Sequence, residues 1–204
     1  MERGSVREFA EGVFVVGTRV VTLRDLATSG QLHGGIHVLD SRDVVIDRNS
    51  ARSNVVGIIV QRSAAVLVGR SSLSESEASG IALFEVRHAQ VSGNAVTTSR
   101  ASAGIGVFDR STQNSIVRNR LWSNAAGVGL NNGASANVVE ANTLSRNESG
   151  VIVDVGTRDN EVVRNRIEDS GFEGDRRGRK RREPHREKQA REERGARGSR
   201  VGSR

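Results

Sequence analysis

Glu85 and Asp109 stand 24 residues apart, each directly after a phenylalanine, Phe84 and Phe108; Arg87 and His88 follow the first acid and Arg110 the second. Two carboxylates within about 5 Å of each other can divide nucleophile and proton-donor work on a glycosidic bond. Two aromatic rings beside them offer a sugar a flat apolar surface. One beat later Asn131 and Asn132 supply amide donors and acceptors, and Trp122, the only tryptophan, supplies a further ring. A second constellation is His33 and His37, with Asp40 as the nearest third donor for a metal. Asp40 is an ordinary corner residue, so no metal ligand is assigned. Acids interleaved with Arg62, Arg87 and Arg110 equally describe a solvated turn with cross-strand ion pairs, each worth about 0–1 kcal/mol.

Residues so far apart meet only if the chain returns to the same place on a fixed beat. Gly12, Gly35, Gly57, Gly80, Gly104, Gly127 and Gly150 are separated by 23, 22, 23, 24, 23 and 23 residues. From Gly35 onward the first and third residues after each are apolar, from Ile36 and Val38 to Val151 and Val153, the alternation of a strand with one buried face. A second register follows about fourteen residues after each glycine: Asn49, Ser71, Asn94, Asn119, Asn142 and Asn165. A β-branched residue stands three before each (Ile46 to Val162) and a small or aliphatic one two after (Ala51 to Ile167).

Three short strands per beat leave no room for a helix. The fold class is therefore all-β: a right-handed parallel β-helix of about seven coils, three strands per coil and a period of about 23 residues, stacked at roughly 4.8 Å. Asn49, Asn94, Asn119, Asn142 and Asn165 form a structural ladder, each inward amide satisfying corner backbone groups and bonding the asparagine of the next coil. Asparagine also tolerates the left-handed backbone such a corner requires, with glycine filling that role at the other corners. Asn114, Asn137 and Asn160 make a second polar column, and Asn124 belongs to the following turn. "GSVREFAEG" reads as the third strand of an incomplete first coil, Val6 standing where Ile167 falls later.

Core patterning covers residues 1–172. Residues 173–204 carry 13 Lys and Arg against 6 Asp and Glu with almost no apolar side chain, the composition of a disordered basic tail. That segment accounts for the whole formal charge of +7, leaving a neutral rod. Nucleic acid is thus a partner only weakly and through the tail, which lacks interleaved aromatics for base stacking. No cysteine is present. The first residues do not read as a secretion leader, and no run approaches the roughly 18 apolar residues of a membrane span. An arginine stripe, Arg48, Arg70, Arg118, Arg120, Arg164 and Arg166, offers a grip for an anionic polymer or a solvated ladder.

The phrase Gly-Ile/Val-X-hydrophobic, followed by hydrophobic-X-X-Asn, resembles the parallel β-helix repeat of the pectate-lyase-like superfamily. It is most similar to the right-handed β-helix region and to the copper-accessory β-helix proteins of nitrous oxide reductase maturation. That resemblance implies a substrate groove on the outward column His37, Ile59, Ala82, Gly106, Gly129 and Ile152, and families that are mostly exported. In a lyase of this kind Glu85 and Asp109 would hold Ca2+ while Arg87 abstracts a uronic acid proton. The chain lacks the Asp-Pro-His-Asp of alginate epimerases and the Asn-Thr-Asp, Asp-Asp and Gly-His-Gly sets of galacturonan hydrolases. Copper would find one methionine and no cysteine as soft ligands. The reading is a carbohydrate-binding module for an acidic polysaccharide, without cofactor, using Phe84, Phe108, Arg110, Asn131, Asn132 and Trp122. One alternative is a polyuronate lyase, epimerase or hydrolase acting through Glu85, Asp109 and Arg87. The other is a structural module that self-associates through its open ends.

Overall fold

The computed structural model describes residues 2–169, with side chains from Gly4 onward; the expected basic tail, 173–204, lies outside the described residues. Within them the chain is all strand and turn, wound as a parallel β-solenoid of about seven turns. One face is a seven-stranded sheet of Glu11–Val16, Gly34–Leu39, Val56–Gln61, Ile81–Phe84, Ala103–Phe108, Ala126–Leu130 and Ser149–Val153, each parallel to the next. A second face stacks Arg42–Asp47, Ala64–Gly69, Gln90–Ser92, Ser115–Val117, Val138–Glu140 and Glu161–Val163. The third stacks Ser50–Arg52, Ser72–Ser74, Ala95–Thr97, Arg120–Trp122, Thr143–Ser145 and Arg166–Glu168. The long strand Arg19–Ser29 underlies both, pairing Leu23 with Ile46 and Thr28 with Ala51, while Val6 of Glu2–Arg7 pairs with Thr28.

The core is a set of stacked like residues. Ile36, Ile58, Ile81, Ile105 and Val128 are fully buried in one column, as are Val38, Val60, Leu83, Val107 and Leu130 in the next. Parallel strands in register place each such residue directly over its predecessor, so the interior continues as long as the period does.

At the other corners glycine does take the left-handed backbone, with φ of 61° at Gly17, 69° at Gly30, 77° at Gly133 and 80° at Gly156, while the recurring glycines serve close approach: a Cβ on Gly57 would lie 2.6 Å from the carbonyl oxygen of Gly80, and one on Gly127 2.6 Å from that of Gly150. The expectation about asparagine is corrected. The left-handed residue at the asparagine corner is the one before the asparagine, with φ of 53° at Arg48, 54° at Arg118 and 51° at Arg164. The asparagine is needed for its amide. Asn142 Oδ1 accepts from the backbone N–H (2.9 Å) and Nδ2 (3.0 Å) of Asn119, while its own Nδ2 donates to the Ile116 carbonyl and to Asn165 Oδ1, both 2.9 Å. Asn114, Asn137 and Asn160 repeat this geometry at the preceding corner. The third corner has its own ladder: Asn54 accepts from the Gln31 N–H, and Ser99, Asn124 and Asn147 are joined the same way. Asn124 is therefore a rung of that ladder.

At the asparagine corner the arginine stripe is largely spent on internal pairs. Arg70 makes a two-pronged contact (2.8 and 2.7 Å) with Asp47, whose side chain is 1% exposed, and Arg24 approaches it at 3.3 Å. Arg48 pairs with Asp25 and Arg164 with Glu140. The Arg70 hydrogen bonds hold the Asp47 carboxyl below its usual range, outweighing burial, which pushes the other way.

Asn142→Ala should strip partners from the Asn119 N–H and the Ile116 carbonyl. At about 1–3 kcal/mol per orphaned buried group, the expected loss is roughly 3–5 kcal/mol in denaturant unfolding, with exposed Thr143→Ala as a near-neutral control. Asp47 supplies stability that is present above the ordinary aspartate value near 3.9 and lost as pH falls through its lower folded value. Asp47→Asn should therefore lower the melting temperature at pH 7, with the gap to the parent closing in acid.

Candidate metal centre and lateral groove

Glu11 opens the first strand of the seven-stranded face, and in the parallel register it sits beneath Gly34. From there its side chain reaches up one turn. Oε2 accepts the Gly34 N–H at 3.1 Å; Oε1 lies 2.5 Å from His33 Nδ1 and 3.0 Å from His37 Nδ1. One donor atom from each of these three side chains lies within 4.8 Å of the others, the sole such group among the described residues. Gly34 leaves the room: a Cβ there would come 2.9 Å from Glu11 Oε2. Burial pushes the Glu11 carboxyl upward, but its bonds to His33 and His37 prevail and hold it below the ordinary range.

His37 is 6% exposed, packed against Phe14 at 5.0 Å between ring centroids and against His33 at 5.4 Å. Its Nε2 is buried without a hydrogen-bond partner. The anticipated third donor, Asp40, is engaged elsewhere, bound in two-pronged fashion by Arg62 at 2.8 and 2.9 Å. Two imidazoles and one carboxylate form the donor set of borderline divalent ions such as Zn2+ and Cu2+, and three ligands leave a position open.

Higher on the same face the outward column does form, pairing His37 with Ile59, Ile59 with Ala82, Ala82 with Gly106 and Gly106 with Gly129. It is covered rather than bare. Ile59 and Ala82 are buried beneath Val55, Ala78, Phe84 and Phe108. Phe84 and Phe108 stack at 4.9 Å with 16° between their planes, and the Phe108 ring folds back so far that a Cβ on Gly106 would lie 2.2 Å from it. Phe108, Asn131 and Asn132 line a groove of about 470 Å3 that continues over Gly129 and Ile152 to Glu148 and Asp154, and among the described residues no lysine or arginine lines it.

Glu85, Arg87, Asp109, Arg110 and Thr112 share a smaller recess of about 230 Å3 around the corner. Glu85 and Asp109 occupy left-handed positions, φ 54° and 50°, in the column that also holds Asp40 and Asn132. Asn132 donates to Asp109 Oδ1 at 3.2 Å. Trp122 is not brought to this face; it lies on the third face, paired with Thr97 and Ser145.

The family model for NosD, described as a periplasmic copper-binding protein, matches residues 2–174. The chain belongs to the NosD family. No curated protein sequence matches it significantly. Among solved structures it is similar to the periplasmic alginate epimerase AlgG, at 20% identity and TM-score 0.66 over 78% of this chain and 43% of that one. A variant of the same epimerase gives 20% identity and TM-score 0.74 over 80% and 44%. The A-module of the mannuronan C-5 epimerase AlgE6 of Azotobacter vinelandii gives 12% identity and TM-score 0.59 over 80% and 57%. These likenesses establish the right-handed parallel β-helix, and this NosD-family chain spans about half the length of those enzymes or less.

Proposed function

We propose that this NosD-family β-helix is a periplasmic metal-binding protein that holds copper(II) at Glu11, His33 and His37. The observation that carries the reading is the convergence of those three donors across two turns, with the Nδ1 atoms of both imidazoles on one Glu11 oxygen. Glu11 supplies the charge, and the Gly34 N–H fixes its carboxylate from behind. Phe14 shields one side of His37. The donor set suits copper(II) better than copper(I), whose thiolate and thioether ligands are missing from a chain with no cysteine and one methionine. Of the residues that would hold the ion, His33 is over half exposed and would leave it reachable by an incoming ligand.

A second reading, a polysaccharide laid along the side of the rod, is carried by the stacked Phe84–Phe108 pair over a groove of ligand size. The two sites occupy different turns of one face and do not compete.

Titration of the metal-free full chain with copper(II), followed by calorimetry and electron paramagnetic resonance, should show one site with nitrogen and oxygen ligation. His37→Ala and Glu11→Gln should each weaken it about 100-fold or more, since even outer partners of a metal site are worth about 10–100-fold. Unchanged copper affinity in both variants would overturn the assignment.

A further inference from the structure

The lateral groove can be read further, on the basis of the second reading above. Its apolar floor is the Phe108 ring, held flat by the stack with Phe84 and by the missing side chain of Gly106. Beside it the Asn131 amide is drawn across Gly129, where a Cβ would meet Nδ2 at 3.0 Å, and that amide has no hydrogen-bond partner among the described residues. A flat ring next to an unengaged amide is the pairing that receives the apolar face and hydroxyl edge of a pyranose. Glu148 and Asp154 flank the groove at the two ends of the strand Ser149–Val153, and among the described residues no cation lines it to offset them. Asp154 Oδ1 already accepts the Val155 N–H at 2.7 Å, which fixes the carboxylate at the rim. The arginines beside the Glu85 and Asp109 recess lie around the corner and do not line the groove.

We infer that this groove takes a non-anionic glycan, its sugars stacked on Phe108 and hydrogen-bonded by Asn131, Glu148 and Asp154, and that it discriminates against polyuronates. Hydroxyl groups donate to carboxylates, whereas a uronate places like charge against Glu148 and Asp154, and like-charge juxtaposition is the usual device of rejection. Selectivity here is therefore the reverse of that expected for an acidic polysaccharide, although the fold resembles that of alginate epimerases.

The test uses the full chain and three probes at low salt: cellohexaose, the hexamer of N-acetylglucosamine, and hexamannuronate. Saturation-transfer NMR on the neutral hexamers is read with and without hexamannuronate as competitor. At least one neutral hexamer should bind, hexamannuronate should displace it at least about 10-fold less effectively than the same neutral sugar does, and Phe108→Ala should reduce binding about 10-fold, stacking being worth that order. Because Phe108→Ala can disturb the turn, the doubly substituted Glu148→Gln, Asp154→Asn is the second arm. It should leave the fold intact by circular dichroism and raise the competitive strength of hexamannuronate several-fold. Hexamannuronate competing as well as the neutral sugar in the parent chain overturns the inference while leaving lateral sugar binding in place. No binding by any probe overturns both.

Discussion

Everything in this molecule hangs on the hydrogen bond from a corner backbone N–H to the side-chain oxygen of an asparagine one turn away. A parallel solenoid must bend three times per turn, and each bend removes backbone groups from the strand ladders while keeping them buried. The asparagine oxygen takes the N–H of its counterpart in the preceding turn at 2.9–3.0 Å and the Nδ2 reaches a carbonyl of that same preceding turn, so a single side chain type closes the accounting at the bend. Where serine stands in the column, as at Ser71, its hydroxyl does part of the work, accepting the Asn49 N–H and donating to the Gly69 carbonyl. The apolar columns then gain their burial because the bends hold strict register; the hydrophobic stack is a consequence of the corner chemistry as much as its cause.

That constraint also explains which parts of the structure could be read from the sequence. Inward positions repeat type because each rests on its own counterpart, so Ile36, Ile58, Ile81 and Ile105 announce themselves, as do Asn119 and Asn142. The third ladder carries the same 23-residue step from Asn124 to Asn147, but its signal is diluted where Gln31 and Ser99 stand in the column in place of asparagine. Outward positions are under no such demand to repeat. Glu11 joins His33 and His37 by reaching up a turn with a rotamer that no spacing rule specifies, although its place one beat before His33 was a usable signal. Asp40 illustrates the converse: it is closest to His37 in the chain, yet Arg62, one beat on, claims it.

The left-handed corner columns add a filter on chemistry. Asp40, Arg62, Glu85, Asp109 and Asn132 all have positive φ, where polar residues that can bond locally are the least disfavoured non-glycine occupants. Acid and amide residues collect there for backbone reasons. An acidic pair such as Glu85 and Asp109 is therefore weaker testimony to catalysis in this fold than the same pair would be on a flat strand. Glu11, by contrast, lies in a strand, in ordinary extended backbone, where no turn demands a carboxylate. Its placement against two imidazoles is the geometry on which the proposed copper site rests.

The same reasoning separates the two outward features of the seven-stranded face. Phe108 needs Gly106 beneath it and Asn131 needs Gly129, so each large outward side chain is accommodated by removing the one two residues before it on the same strand path. A glycine in a strand interior costs about 0.5–1 kcal/mol relative to alanine through lost backbone entropy. Two successive turns carry that cost in the column that, one and two turns lower, holds Ala82 and Ile59. The compensation is a recessed bed in which ring and amide lie flat against the sheet. A rod stabilised only by its interior has no use for such a bed, whereas a surface that receives an extended, flat-faced ligand has a direct one.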